Sequence, residues 1–294
     1  MPLLLACFAA SPAAAQTLTF QDILALPAPP PARRLRYGNE PPQFGELRLP
    51  AGRGPHPVAV VIHGGCWLAG YELGHISSLC AALTGAGVAT WSLEYRRVGD
   101  PGGGWPGTFQ DVASGTDRLR ELARKYPLDL SRLIAIGHSA GGHLALWLAA
   151  RKRLPRESPL FSSDPLPIGG VLGLAAVTDL GRFSEMAMGG CGDTVHRLMG
   201  GGPELVPERY RQASPAELLP LGLPQKLICG ARDRMVPLAL ARTYQAAAAK
   251  AGDDVELVLL PEAAHFEMIA PSSAAWPEVW KAARALLSFR KTSP

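Results

Sequence analysis

The sequence contains few cysteines, and none of them form the closely spaced pairs that bind zinc or act as thioredoxin-type redox sites. It has five cysteines in 294 residues, with no C-x-x-C spacing. A cysteine metal site or dithiol motif is therefore unsupported. Beyond Cys7, the cysteines are Cys66, Cys80, Cys191 and Cys229. Three full pairings of these four are possible and the sequence does not choose among them, so buried free thiols are the default expectation.

The chain also lacks the patterns of nucleic-acid-binding and membrane-spanning proteins. Its formal net charge is only +4, and the basic runs "RRLRYG", "RELARKY" and "RKRLPR" are scattered without interleaved aromatic residues. Such runs are typical of solvated surfaces. After the first fifteen residues, no stretch reaches the roughly 18 uninterrupted apolar residues that a membrane span needs. We therefore expect neither a nucleic-acid partner nor a membrane span.

The first residues differ in composition from the rest of the chain. "MPLLLACFAASPAAAQ" is an apolar segment that ends in small residues. This pattern predicts a signal peptide, residues 1–15, cut before Gln16, although the usual basic leader is missing. Lipid attachment at Cys7, in "LLAC", and an apolar tail without a targeting role are the alternatives. We expect export to the periplasm or the medium.

The remaining chain is predicted to form one α/β domain. Residues 16–34 are a proline-rich lead-in, and from residue 35 to 294 short apolar runs alternate with segments of helical period. This alternation is typical of a mostly parallel sheet with crossover helices. The predicted strands after an opening pair are 58–63, 87–95, 132–137, 170–177, 225–230 and 255–260. The uneven segment at about 180–215 predicts a small inserted cap over a pocket.

One short motif stands between a predicted strand and a predicted helix. "AIGHSAGGHLAL", residues 135–146, contains Gly137-x-Ser139-x-Gly141. A G-x-S-x-G in this setting indicates a nucleophile elbow, whose sharp turn leaves no room for side chains at the glycines. The turn has neither the lysine of a phosphate-binding loop nor a dinucleotide-type glycine pattern. Ser139 is therefore the candidate nucleophile.

A serine nucleophile needs a base to take its proton and an acid to orient that base. Asp233 follows the predicted strand "QKLICG", and His265 follows the strand "VELVLL". Both fall at the sheet edge where an elbow presents its serine, and the chain order Ser, Asp, His is typical of such enzymes. Asp179 also follows a strand, but the helix start after it favours an N-cap role. The other histidines are expected to be structural or on the surface.

The stretch "HGGCW", residues 63–67, directly follows the predicted strand "VAVVIH". Backbone amides that point at a developing oxyanion stabilise the transition state of acyl transfer, and glycines let the backbone approach. The expected donors are the amides of Gly65, Cys66 and Ala140. His63 is expected to brace the loop.

With these motifs the chain, over about residues 35–290, resembles the α/β-hydrolase superfamily. "HGGCW" and "GHSAGGHLAL" are similar to the esterase/lipase and kynurenine-formamidase-like branch. The resemblance implies a mostly parallel central sheet flanked by helices, with a small inserted cap. It also places Trp67 and Trp105 as pocket walls, with a core role as the alternative for each.

The predicted function is a serine hydrolase that cleaves carboxylic esters, with short-chain or aryl substrates, through an acyl-enzyme. No metal or organic cofactor is expected, and the only predicted partner is a small-molecule ester. An arylformamidase-type amide hydrolase, a prolyl-oligopeptidase-like peptidase and a non-enzymatic protein of this fold are the alternatives. The oligomeric state and the natural substrate stay open.

Overall fold

The computed structural model describes residues 17–186 and 191–288. The predicted leader, residues 1–15, and its predicted cleavage site before Gln16 lie outside the described residues, as does the alternative lipid site at Cys7. Part of the predicted cap, residues 187–190, also lies outside them. Within the described ranges, no helix has the length and apolar character needed to cross a bilayer.

The core of the molecule is one eight-stranded sheet. Its strands are β1 (Arg33–Arg36), β2 (Phe44–Arg48), β3 (His56–Ile62), β4 (Ala89–Leu93), β5 (Leu128–His138), β6 (Val171–Leu174), β7 (Gln225–Gly230) and β8 (Val255–Leu260). Their order across the sheet is β1-β2-β4-β3-β5-β6-β7-β8. The pairs β1/β2 and β2/β4 are antiparallel, and all the others are parallel. The expected mostly parallel sheet is confirmed.

Most of the α-helices lie in the connections between strands, whereas α1 precedes the first strand and α10 follows the last one. The α-helices are α1 (Phe20–Leu24), α2 (Ser77–Gly85), α3 (Gly107–Asp117), α4 (Leu119–Leu122), α5 (Ala140–Ala150), α6 (Leu180–Glu185), α7 (Gly192–Met199), α8 (Pro207–Ala213), α9 (Leu238–Ala251) and α10 (Trp276–Ser288). The predicted cap segment contains α6, α7 and α8, which all lie between β6 and β7.

Alternating side chains of the central strands belong to two apolar layers, one on each face of the sheet. Along β3, Val58 and Val60 belong to a layer shared with α3, α5 and α9, whereas Ala59 and Val61 belong to a layer shared with α2 and α10. Successive strand residues point to opposite faces, so a strand covered by helices on both faces must be apolar throughout. This explains why "VAVVI" is continuously apolar rather than alternating.

The structure adds detail in two parts of the chain. The segment of helical period at 109–126 forms two helices, α3 and α4, with Arg118 between them. The proline-rich lead-in contains a short helix, α1. The Thr19 hydroxyl accepts from the Asp22 amide, and the Asp22 carboxylate accepts from the Thr19 amide, a reciprocal capping box that stabilises even a short helix. β1 also begins at Arg33, slightly before the expected domain start.

Candidate active site

Ser139 lies at the sharp turn between β5 and α5. Its φ of 56° and ψ of −121° are rare for a residue with a side chain. A Cβ on Gly137 would lie 2.0 Å from the Gly141 carbonyl oxygen, and a Cβ on Gly141 would lie 2.2 Å from the Ile62 carbonyl oxygen. Both flanking glycines are therefore sterically required, as the motif predicted. Strained backbone of this kind is typical of functional sites.

The sheet holds this turn in place. The Ser139 amide donates to the Leu174 carbonyl on β6 at 2.9 Å, and the Ser139 carbonyl accepts from the His143 amide at 3.1 Å in the first turn of α5. Ser139 thus stands at the N-terminus of a helix, where the helix dipole favours negative charge. Its residue exposure is 4%.

Asp233 and His265 are brought together from the ends of β7 and β8. His265 Nδ1 donates to Asp233 Oδ2 at 2.8 Å. The other carboxylate oxygen, Oδ1, accepts from the Met235 amide at 2.7 Å and the Val236 amide at 3.0 Å. A carboxylate only accepts hydrogen bonds, so the Nδ1 proton stays on His265 and leaves its Nε2 able to accept a proton.

His265 is tied to the elbow through the residue before the serine. His138 Nε2 donates to the His265 carbonyl at 2.9 Å, and the two rings have centroids 4.6 Å apart. Burial, together with the neighbouring His265, lowers the pKa of His138 well below 6.5. His138 is therefore neutral at physiological pH, so it adds no positive charge beside His265.

The competing acid, Asp179, has a different role. It is the N-cap of α6, and its Oδ1 accepts from the Arg182 amide at 3.1 Å. Its other oxygen forms an ion pair with the Arg182 side chain at 3.4 Å. The predicted N-cap role is confirmed.

The HGGCW loop follows β3 and passes directly beside the elbow. A Cβ on Gly64 would lie 2.7 Å from the His138 carbonyl oxygen and 3.0 Å from Ser139 Cβ, so only glycine fits at this contact. Gly65, Cys66 and Trp67 then have φ values of 101°, 52° and 57°. Two consecutive residues with side chains in the left-handed region are unusual and require support from their surroundings.

A buried charged network supports the base of this loop. His63 Nε2 donates to Glu94 Oε1 at 2.8 Å, and Glu94 Oε1 lies 3.2 Å from Arg97 Nη1. The Tyr95 hydroxyl donates to the His63 carbonyl at 2.9 Å. Burial alone raises the pKa of Glu94, but His63 and Arg97 outweigh burial and the net pKa lies below its ordinary value. These contacts give His63 the bracing role expected of it.

Glu94 and Arg97 had no predicted role. The pattern that could have identified them is "SLEYRR", in which Glu94 directly follows β4 and Arg97 comes three residues later. Because a carboxylate is costly to bury without a partner, a strand-end glutamate followed by arginines indicates a buried ion pair.

The two tryptophans expected at the pocket differ in burial. Trp67 has no exposed surface, and its Nε1 donates to His143 Nδ1 at 3.2 Å while its ring packs edge-on against Phe183. Trp67 therefore has the core role that was the alternative to a pocket wall, because it is fully enclosed and its indole nitrogen has a buried partner. Trp105 is half-buried against Phe109 and its amide donates to the Leu198 carbonyl at 2.7 Å.

Two further contacts near the site were not predicted. A disulfide joins Cys66 to Cys191, while Cys80 and Cys229 are free and buried. The default of free thiols is therefore wrong for the first two. Phe20 of α1 lies against Phe266, the neighbour of His265, with ring centroids 6.0 Å apart. No local pattern in the sequence links residues so far apart.

The described ranges contain no group of three or more His, Cys, Asp or Glu side chains arranged to hold a metal ion.

Comparison with known proteins agrees with this architecture. The chain is 28% identical over 244 residues to the esterase LipC of Mycobacterium tuberculosis, an alignment that covers 79% of this chain and 59% of LipC. It is similar in structure to a truncated carbohydrate esterase from gut microbiota, with a TM-score of 0.75, 21% identity and coverage of 87% and 95% of the two chains. Esterase B from Lactobacillus Rhamnosis gives a TM-score of 0.75, 22% identity and coverage of 91% and 90%.

The fold and the strained serine turn define an α/β-hydrolase fold of the esterase/lipase superfamily. The BD-FAE family model matches residues 46–247, and the chain belongs to this family. The chain spans about half the length of the curated relatives it matches, with 59% of LipC and 50% of the esterase LipQ of Mycobacterium tuberculosis covered.

Proposed function

We propose that this protein is a serine hydrolase that cleaves carboxylic esters through an acyl-enzyme. The observation that carries the proposal is the hydrogen bond of His265 Nδ1 to the Asp233 carboxylate, 2.8 Å long, in a histidine whose carbonyl is bonded to the residue before Ser139. This arrangement supports a base oriented toward a nucleophile on a strained turn.

In the acylation step, Ser139 Oγ bonds to the ester carbonyl carbon as its proton passes to His265 Nε2. The carbonyl oxygen becomes an oxyanion that the amides of Gly65, Cys66 and Ala140 stabilise. The tetrahedral intermediate then collapses, the bond to the alcohol oxygen breaks, and the alcohol leaves with the proton from His265.

In the deacylation step, water gives its proton to His265 Nε2 and its oxygen bonds to the acyl carbon. Collapse of the second intermediate breaks the bond to Ser139 Oγ, which recovers the proton, and the carboxylic acid is released. Asp233 remains ionised throughout, and its role is to orient His265 and stabilise the imidazolium.

We further propose that the substrates have short acyl groups, with an aryl or another flat leaving alcohol. The segment between β6 and β7 supports this, because it is bonded to two other parts of the chain, one of which is the loop that passes beside Ser139. Cys191 is covalently joined to Cys66 of the HGGCW loop, and the Leu198 carbonyl accepts from Trp105. A segment bonded to the loop beside the serine leaves limited space for a long acyl chain.

Export of the protein is also a proposal, and the disulfide supports it. Disulfides persist in oxidising compartments such as the periplasm and the extracellular medium, and they are rare in the cytosol of mesophiles. The Cys66–Cys191 bond is therefore consistent with the leader predicted for residues 1–15.

The function is tested by turnover and by covalent labelling. Aryl esters of rising acyl length, N-formylkynurenine and a peptide amide would be compared by kcat/KM, and a fluorophosphonate would be mapped by peptide mass spectrometry. We expect the highest values for acetyl to butyryl esters and label on Ser139. Label on another residue would contradict the nucleophile assignment. Faster cleavage of N-formylkynurenine would identify an amide hydrolase instead, and a peak at long chains would exclude the short-acyl proposal.

A further inference from the structure

The disulfide connects the HGGCW loop with the cap segment, two parts of the chain that are 125 residues apart in sequence. The Cα atoms of Cys66 and Cys191 are 5.3 Å apart, within the usual range of about 4.4–6.8 Å. Both residues are buried. Cys191 immediately precedes α7, so the bond fixes the start of that helix to the loop.

Cys66 occupies a backbone conformation that its side chain disfavours. Its φ is 52°, and Trp67 follows with a φ of 57°. A residue with a Cβ stays in the left-handed region only when contacts hold it there. Trp67 has such contacts, because its indole donates to His143 and its carbonyl accepts from the Val98 amide at 2.7 Å. At Cys66, the contact that holds the side chain is the disulfide to Cys191.

The other end of that bond is fixed independently. On α7, Val195, Leu198 and Met199 have no exposed surface, and the Leu198 carbonyl accepts from the Trp105 amide at 2.7 Å. The helix that begins beside Cys191 is thus packed into the apolar layer that contains Trp67. The disulfide therefore joins a strained loop to a well-packed helix.

We propose that Cys191 is a positioning residue for the reaction, because its disulfide holds Cys66 in the conformation that presents the Cys66 amide to the oxyanion. This inference rests on the proposed ester hydrolysis and adds to it a residue in the cap that acts through the HGGCW loop. A purely structural cross-link would instead raise stability by restricting the unfolded chain and leave turnover unchanged.

The bond itself is tested without any measurement of activity. The full chain would be unfolded without reductant, alkylated with iodoacetamide, digested and analysed by mass spectrometry. We expect Cys80 and Cys229 to be alkylated and Cys66 and Cys191 to appear in one linked peptide. The linked peptide should separate only after a dithiol transfers two electrons and two protons to the disulfide, forming two thiols and its own cyclic disulfide. Alkylation of Cys66 and Cys191 without reductant would overturn the proposal.

The positioning role is tested with Cys191→Ser on 4-nitrophenyl acetate. Removal of a whole oxyanion donor costs about 100- to 1,000-fold in kcat. Misplacement of one amide among several should cost less, so we expect kcat to fall by about 10- to 100-fold while KM changes by less than about twofold. Cys80→Ala is the matched control, because it removes a buried cysteine that has no cross-link. It should lower the melting temperature and leave kcat unchanged.

A second substitution separates positioning from stability. In Cys66→Gly/Cys191→Ser, glycine adopts a φ near 52° without a Cβ penalty, so kcat should recover at least about threefold relative to Cys191→Ser. All rates would be measured where circular dichroism shows every variant to be folded. A wild-type kcat in Cys191→Ser, or no recovery in the double variant, would overturn the positioning role. If the wild type cleaves no ester, the proposed function fails, while the linked peptide still reports the bond.

Discussion

The two edges of the parallel sheet, at the carboxyl and the amino ends of the strands, differ in how far their charged side chains are exposed to solvent. At the carboxyl ends of the strands, Asp233, His265 and Glu94 are enclosed and hydrogen-bonded, and Ser139 is held on a strained turn. At the amino ends lies an open groove of about 1130 Å³ lined by charged side chains that include Asp254. This groove thus lies at the opposite ends of the strands from the candidate chemistry. Enclosed ionisable groups and backbone strain are better indicators of a functional site than volume.

Stabilising forces at the two edges differ in the same way. Ion pairs near the groove, such as Lys226 with Glu256, remain partly in water, where charge is screened and pairs contribute little. The pair of His63 with Glu94 is almost fully enclosed, so loss of His63 leaves the buried Glu94 carboxylate without that partner and without water to replace it. Substitutions at the carboxyl edge should therefore have large effects, and those at the groove small ones.

The largest effect is expected from Ser139→Ala. Without the nucleophile no acyl-enzyme forms, and ester kcat should fall by about four to six orders of magnitude. The measurement is turnover of 4-nitrophenyl acetate by folded protein, with thermal unfolding as the control for the fold. Turnover within tenfold of the wild type would rule out Ser139 as the nucleophile.

The next effect separates two carboxylates that both follow strands. Asp233→Asn should lower kcat by about 10⁴, because an amide does not hold the His265 tautomer. Asp179→Asn should leave kcat unchanged and alter stability only slightly, since asparagine also caps helices well. Steady-state kinetics measures kcat for both variants, and urea unfolding measures their stability. If Asp179→Asn proved the more damaging to kcat, the acid would have been assigned incorrectly.

A third effect concerns the network beneath the HGGCW loop. Glu94→Gln leaves His63 and Arg97 without the carboxylate they enclose, and it should lower the free energy of unfolding by about 3–5 kcal/mol. Urea denaturation at neutral pH measures this change. A loss below about 1 kcal/mol, as for a surface pair, would show that the network contributes little to the fold.

A fourth effect depends on pH. Burial lowers the pKa of His143 from 6.5 to about 4. Below pH 6.5 the unfolded chain takes up this proton and the folded protein does not, so stability is lost as pH falls toward 4. Each such group contributes a slope of about 1.4 kcal/mol per pH unit in that window.

Urea unfolding between pH 7 and pH 5 should therefore show a shallower slope for His143→Gln than for the wild type. His196→Gln is the control, because His196 is exposed on α7. Equal slopes for His143→Gln and the wild type would mean that His143 binds its proton equally in both states.

The smallest effect is expected at the groove. Lys226→Gln removes an ion pair with Glu256, a half-exposed carboxylate. The substitution should change the free energy of unfolding by less than about 1 kcal/mol. Ester turnover should not change. A clear loss of kcat in this variant would connect the groove with the reaction and remove the contrast between the two edges.

Most of the fold could be predicted from the sequence, because the signals are local. Continuous apolar runs such as "VAVVI" identify strands buried on both faces, and helical period identifies the crossovers. The turn around Ser139 was also predictable, since contacts within a few residues dictate which positions must be glycine. The order of elements then placed Asp233 and His265 at the same edge of the sheet.

The remaining features depend on contacts between distant parts of the chain. Which two of four cysteines pair, whether Trp67 faces a pocket or the core, and where Phe20 lies are all decided by tertiary packing. Cys66 meets Cys191 only because the cap segment returns to the end of β3. Sequence alone thus determined the strained serine turn and the strand ends that carry the candidate acid and the candidate base. Only the tertiary structure decided what holds the neighbouring loop, since a local pattern cannot encode a partner 125 residues away.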